Sequence, residues 1–135
     1  LNLSKNFNKI KVIIKKFKKK KIRTSLFINP NLKDIKIAKE LDTDCIELHT
    51  GKISDLIKSK KNYVYEYKKI KKCCKVAMKI GLEVHAGHGL DYKSTAILSK
   101  VKEIKEFNIG HFIIGESIVY GLKNMIKKFK KISNT

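Results

Sequence analysis

The chain has 135 residues, 42% of them hydrophobic and 33% charged, and Lys and Arg outnumber Asp and Glu 32 to 12, giving a formal net charge of +20. That length allows one domain at most, and the apolar fraction is enough for a buried core, which excludes a wholly disordered chain. No apolar run approaches the ~20 residues of a membrane-spanning helix, so a soluble protein with no membrane partner is expected.

The chain starts at Leu1, without an initiator methionine or the apolar centre of a signal peptide, and this start reads as cut, processed or misassigned. The first segment spaces Phe7, Ile10, Ile13, Ile14 and Phe17 as the apolar stripe of an amphipathic helix, with Lys on the other face. Ile22 to Ile28 is short, apolar and β-prone, and it runs into Asn29-Pro30, a helix start. The helix that follows carries Leu32, Ile35, Ala38 and Leu41 on one stripe. Asp44 to His49 reads as a second strand closed by Thr50-Gly51.

A longer helical stretch comes next, with the stripe Tyr63, Tyr67, Ile70, Cys74 and Ala77 and a terminal Gly81. Leu82 to Ala86 is expected to be the third strand, leading into Gly87-His88-Gly89-Leu90, and a helix with Ile97, Val101 and Ile104 follows. The fourth strand is placed at Asn108 to Ile114, ending at Gly115. A last helix carries Ile118, Leu122, Met125, Ile126 and Phe129. Strands alternating with helices, without a Pro-rich or Ser-rich linker, predict an α/β fold with a parallel sheet in one domain, residues 1–135, with no internal boundary. Two architectures fit the pattern: a doubly wound sheet and a (β/α) barrel.

The high charge first evokes nucleic acid, especially at Lys15-Lys16-Phe17-Lys18-Lys19-Lys20-Lys21. Yet Arg23 is the single arginine, and phosphate clamps and base readers lean on the planar arginine fork. The lysines are therefore read as a solvated face, and a nucleic-acid partner is not expected. Three cysteines, Cys45 and the adjacent Cys73 and Cys74, form neither an even-numbered disulfide framework nor a spaced metal pair. They point to a reduced, cytoplasmic protein, with Cys74 a core residue.

The polar residues cluster at one end of the sheet. His49, His88 and His111 fall at or just past the carboxyl ends of the second, third and fourth strands, the end that carries the site in both architectures. If Ile46 and Leu48 face the covering helices, Glu47 is turned to the opposite side, where it needs either a lysine partner or a chemical role. The four histidines lack the short spacing of helical zinc ligands, so zinc gains no support. His88 sits between glycines in a turn, open to a ligand, and an imidazole suits acid-base work near neutral pH. Gly87, Gly89, Gly110 and Gly115 gather at the last two strand ends, where bare backbone N–H groups suit a phosphate.

Four blocks carry a resemblance: Ser25-Leu26-Phe27-Ile28-Asn29-Pro30, Ile46-Glu47-Leu48-His49-Thr50-Gly51, Ala86-Gly87-His88-Gly89-Leu90-Asp91-Tyr92, and Phe107-Asn108-Ile109-Gly110-His111. In order and spacing they resemble the pyridoxine 5′-phosphate synthase family, and the similarity extends over nearly the whole chain. The resemblance implies a (β/α)8 TIM barrel of which this chain holds the last four strand-helix units, as a half-barrel or fragment. It implies condensation of 1-deoxy-D-xylulose 5-phosphate with 3-amino-2-oxopropyl phosphate to pyridoxine 5′-phosphate, inorganic phosphate and water. By position, His88 matches the family's proton donor and Glu47 its transition-state-stabilising carboxylate, while Gly89, Gly110 and His111 match residues that hold the aminoketone phosphate. No metal or organic cofactor is implied. The expected partners are phosphorylated small molecules and further copies of the chain in a homo-oligomer.

The sequence also departs from the family pattern. His85 stands where Asn is usual, Glu116 stands where a basic residue is usual and would repel a phosphate beside it, and Asp42-Thr43 looks like drift at a surface turn. The family's first four strands, with its other catalytic His and Glu, have no counterpart here. Four parallel strands cannot close a barrel, so unpaired edges are expected near Ile22 and Ile113. A fragment of a longer gene product or a decayed reading frame is the expectation, ahead of a self-pairing half-barrel.

Overall fold

The structure, a computed structural model, describes residues 2–133. The elements run α1 (Phe7–Lys19), β1 (Ser25–Ile28), α2 (Leu32–Glu40), β2 (Cys45–His49), α3 (Gly51–Lys58), α4 (Val64–Lys79), β3 (Glu83–Gly87), α5 (Tyr92–Leu98), β4 (Ile104–Asn108), α6 (His111–Tyr120) and α7 (Leu122–Ser133). The four strands form one sheet in the order β1-β2-β3-β4, with every neighbouring pair parallel.

Strand alternation divides this sheet into two unlike faces. Leu26, Ile28, Ile46, Leu48, Val84 and Ala86 are buried with Ile35, Ala38, Leu41, Ile70, Cys74, Ala77 and Leu98 of the helices in one core. The opposite parity holds Ser25, Phe27, Glu47, His49, Glu106 and Asn108, exposed or half-buried, with Cys45, His85 and Gly87 buried among them. A doubly wound sheet covers both faces and reverses its strand order at a switch point. This sheet is helix-covered on one face and keeps its sequential order, which is the winding of a (β/α) barrel, present here as a partial TIM barrel.

Local chemistry starts the helices. Asn31 caps α2 by accepting the Asp34 N–H at 2.8 Å, and Asp34 places a carboxylate in the positive first turn. The seven-residue α5 has a full capping box, in which Asp91 accepts the Ser94 N–H and the Ser94 hydroxyl accepts the Asp91 N–H, each at 2.8 Å. Such reciprocal capping matters most in a helix too short to persist on propensity alone.

The structure corrects several expected boundaries. The longer helical stretch is two helices, parted at Lys60 in left-handed backbone (φ 54°). The helix expected to reach Ile104 stops at Leu98; the Val101 N–H bonds to the Leu98 carbonyl, and Ile104 already pairs with Val84 in the sheet. The fourth strand is therefore Ile104–Asn108, and the sheet's second edge lies there, since Ile113 and Gly115 are helical. The last helix is split into α6 and α7 at Gly121 (φ 76°). On α1, Ile14 is buried but Ile13 and Phe17 of the same predicted stripe are exposed.

The turn at Asp42-Thr43 is only half a surface feature. Asp42 is exposed and ion-pairs with Lys18 at 2.7 Å, but Thr43 is buried, its hydroxyl donating to the Thr24 carbonyl at 2.9 Å. Next to it, the Asp44 carboxylate accepts the Thr24 backbone N–H at 2.7 Å and the Thr24 hydroxyl at 3.0 Å, tying the start of β1 to that of β2. The backbone hydrogen bond from Thr24, outweighing the opposing effect of burial, holds the Asp44 carboxyl below the usual carboxylate range. A depressed carboxyl stabilises the fold at pH above its unfolded value of about 3.9 and loses that contribution as pH falls through the folded value. Asp44→Asn is thus expected to cost about 1 kcal/mol at neutral pH, less any solvent screening at this half-buried site, and to flatten the stability loss below about pH 4. Urea unfolding at the two pH values checks this.

Candidate active site

With Ile46 and Leu48 fully buried in the core, β2 presents Glu47 and His49 on the open face, as the parity of the strand predicts. Among the described residues Glu47 forms no ion pair with a lysine. Its Oε2 accepts a 2.7 Å hydrogen bond from Asn108 Nδ2 on β4, two strands away. The reach is possible because the intervening β3 places Gly87 beneath it: a Cβ on Gly87 would overlap the Glu47 carboxylate. The register aligns His49, Gly87 and Asn108 across the three strands, so the carboxylate lies over the carboxyl end of β3.

His88 follows directly, in left-handed backbone (φ 78°) that non-glycine residues rarely adopt. A buried residue, Thr50, holds it there. The Thr50 N–H donates to the Gly87 carbonyl at 2.8 Å, and the Thr50 hydroxyl lies 2.8 Å and 2.9 Å from the carbonyl oxygens of Gly87 and His88, sharing its proton between them. Gly89, at φ 74°, then passes close to the first turn of α3, where a Cβ would stand 3.3 Å from Gly51 Cα. The exposed His88 ring stacks on His49 with centroids 4.4 Å apart, and Phe27 of β1 lies beside both, 5.3 Å from His49 and 6.3 Å from His88.

The fourth strand leads into an uncapped helix N-terminus. Gly110 occupies the N-cap of α6 with no side-chain cap, and the first turn of this ten-residue helix holds no acidic residue. Space around Gly110 is open, with nothing within 4 Å of where a Cβ would sit. Free backbone N–H groups and the positive end of the helix dipole converge on that space.

These pieces enclose one cavity of about 550 Å³. All five residues singled out in the sequence, Glu47, His88, Gly89, Gly110 and His111, line it. So do Phe27, Asn108 and Lys58, which sequence reasoning did not single out. Phe27 and Asn108 stand in the quoted blocks and share the parity of Glu47, a signal that could have found them. Lys58 at the end of α3 had none. Gly115 lies within α6 and takes no part in the cavity. Glu116 is also absent from its lining; it sits near the Tyr92 hydroxyl at 3.4 Å.

His85 occupies a deeper level of the open face. It is buried, with Nε2 2.8 Å from Glu83 Oε1 and Nδ1 3.6 Å from Glu106, and Arg23 closes on Glu83 at 2.6 Å. Arg23 first, and then His85, hold the Glu83 carboxyl below its ordinary value. Among the described residues no group of three or more His, Cys, Asp or Glu could hold a metal ion. The three cysteines are free and buried, and burial pushes the Cys74 thiol up to about 12, which makes it a packing residue without thiolate chemistry. No helix among the described residues is long and apolar enough to cross a membrane.

Fold and cavity together define a (β/α)-barrel type of protein whose site is built from the loops at the carboxyl ends of its strands. The sequence matches the family model described as pyridoxal phosphate biosynthesis protein PdxJ over residues 1–135, and the chain belongs to that family. It is 70% identical to the pyridoxine 5′-phosphate synthase of Pelagibacter ubique, over 99% of this chain and 56% of that protein. It is 42% identical to the synthase of Sulfurihydrogenibium sp., over 91% of this chain and 50% of the relative, and 36% identical to that of Blochmanniella floridana, over 98% and 53%. The chain spans about half the length of the curated relatives it matches.

Proposed function

We propose that residues 1–135 are the C-terminal part of a single (β/α)8 domain that acts as a pyridoxine 5′-phosphate synthase, condensing 1-deoxy-D-xylulose 5-phosphate with 3-amino-2-oxopropyl phosphate to pyridoxine 5′-phosphate, phosphate and water. The observation that carries this reading is the convergence of Glu47, His88, Gly89, Gly110 and His111 on one cavity at the strand ends. In it, His88 donates protons during imine formation, dehydration and ring closure, where an imidazole transfers a proton near neutral pH. Glu47, fixed by Asn108, stabilises positive charge developing on the condensing substrates. Gly89, Gly110 and His111 hold the aminoketone phosphate at the start of α6, with binding at a helix N-terminus as the physical basis. The same reading places the protein in the cytoplasm, where free thiols persist, as a homo-oligomer.

Co-expression with the N-terminal segment of the Pelagibacter ubique relative tests the proposal. The co-purified pair is expected to form pyridoxine 5′-phosphate from the two phosphorylated substrates and to release phosphate. A folded complex that binds both substrates and makes no product would leave the chain an inactive remnant and overturn the proposal.

A further inference from the structure

His49 stands beside His88 without a role in the reading above. The two rings are stacked at 4.4 Å with 30° between their planes, and Phe27 lies beside the pair, its ring centroid 5.3 Å from that of His49 and 6.3 Å from that of His88. His49 is half-buried and His88 exposed. The Gly51 N–H donates to His49 Nδ1 at 3.3 Å, so that nitrogen is an acceptor and a neutral His49 carries its proton on Nε2. A Cβ on Gly51 would press on His49 Cε1 at 2.6 Å and His88 Cδ2 at 2.9 Å, so the bare glycine leaves the room in which both rings lie.

We propose that His49 is a positioning residue for His88: it stacks against the exposed imidazole and stays neutral, so that no second positive charge opposes a proton on His88. Two imidazolium rings in contact repel, and the second proton comes hard to whichever ring is less hydrated and already uses a nitrogen as acceptor. His49 is that ring on both counts. Burial first, and then the neighbouring His88, lower its basicity; a hydrogen bond to its own backbone, and after it Asp55, act in the other direction without reversing the result. The other charged groups around the pair are Lys52 and Lys58 of α3, Lys61 after it, Glu47 of β2 and His111 of α6. The inference rests on His88 being the proton donor only for its catalytic meaning; the proton order itself is a property of this chain.

The test is the titration of both imidazoles in the 135-residue chain by long-range ¹H–¹⁵N spectra between about pH 5 and 9. His49 is expected to show a protonated Nε2 and a bare Nδ1 near neutrality, and to take up its second proton only after His88. His88→Phe, which keeps a ring in the stack and removes its charge, is expected to raise the His49 midpoint by about one unit. If His49 charges first, or its midpoint ignores His88→Phe, the proposal falls. Should that variant not fold, the order of protonation in the unaltered chain decides alone. In the reconstituted pair, His49→Ala is expected to lower kcat about tenfold while leaving KM within about twofold, and His49→Phe recovers most of the loss. A proton order as expected in a pair that makes no product would refute the functional reading and leave this inference standing.

Discussion

Replacing His88 by alanine in the reconstituted pair is expected to lower turnover by about 10²- to 10⁴-fold, the usual contribution of a positioned general acid. The ring is exposed, lines the cavity and stands beside Gly89 and across from the α6 N-terminus, where the proposed function puts the substrate phosphate within reach of a proton moved there. Alanine alone would confuse two effects, because His88 holds φ 78° and a Cβ residue with little else to offer is strained there by about 1–2 kcal/mol. Asparagine tolerates that backbone but transfers no proton. His88→Asn is therefore expected to keep the urea midpoint close to that of the parent and to lose as much turnover as His88→Ala. If both variants keep their turnover, His88 is not the proton donor, whatever its place in the loop.

Much of this site was legible because strands alternate with a fixed period. Once Ile46 and Leu48 are assigned to the core, Glu47 and His49 have to face the other way, and the structure places them so. The partner of Glu47 was not legible, because Asn108 was read as the first residue of a strand and is the last. Two physical features hid β4. Its register slips by one residue between Val84 and His85, which puts Ile104 on the core face and Glu106 on the open face and breaks the period of two. The apolar run after it, Ile109 to Ile114, then offers a better strand by composition than the strand itself.

Helix α6 compounds the problem, for its apolar residues are spread around its circumference: it buries no residue completely and leaves Ile118 and Val119 exposed at 85% and 74%. A helix without a polar face gives no 3.6-residue signal to read. Glycines were expected at the last two strand ends, and three of the four counted there line the cavity or lie beneath Glu47. Neither the stacking of His49 with His88 nor the hold of Thr50 on the Gly87 and His88 carbonyls was foreseen. Both are consequences of the loop at Gly89 approaching the first turn of α3 at Gly51, and such distances leave no periodic trace in a sequence.

Gly87→Ala separates the site from the scaffold. The added methyl would overlap Glu47 Oε1, and it would come within 2.9 Å of Glu47 Cδ and 3.2 Å of Asn108 Cβ. Of these, the carboxylate ends a flexible chain on a half-buried residue, whereas the backbone of β3 is fixed by pairing to both neighbours. Glu47 is the group that moves, and it gives up the 2.7 Å hydrogen bond to Asn108. Losing that bond costs about 1 kcal/mol, and alanine at a strand position offsets part of it by narrowing the unfolded ensemble. Stability is thus expected to change by less than about 1 kcal/mol in urea unfolding. Turnover is expected to fall about 10²-fold, since a displacement of about 1 Å at a charge-stabilising group has that effect. The two substitutions act through one carboxylate, so Gly87→Ala should add nothing in a Glu47→Ala background. Additive losses would show that the methyl group harms something other than the position of Glu47.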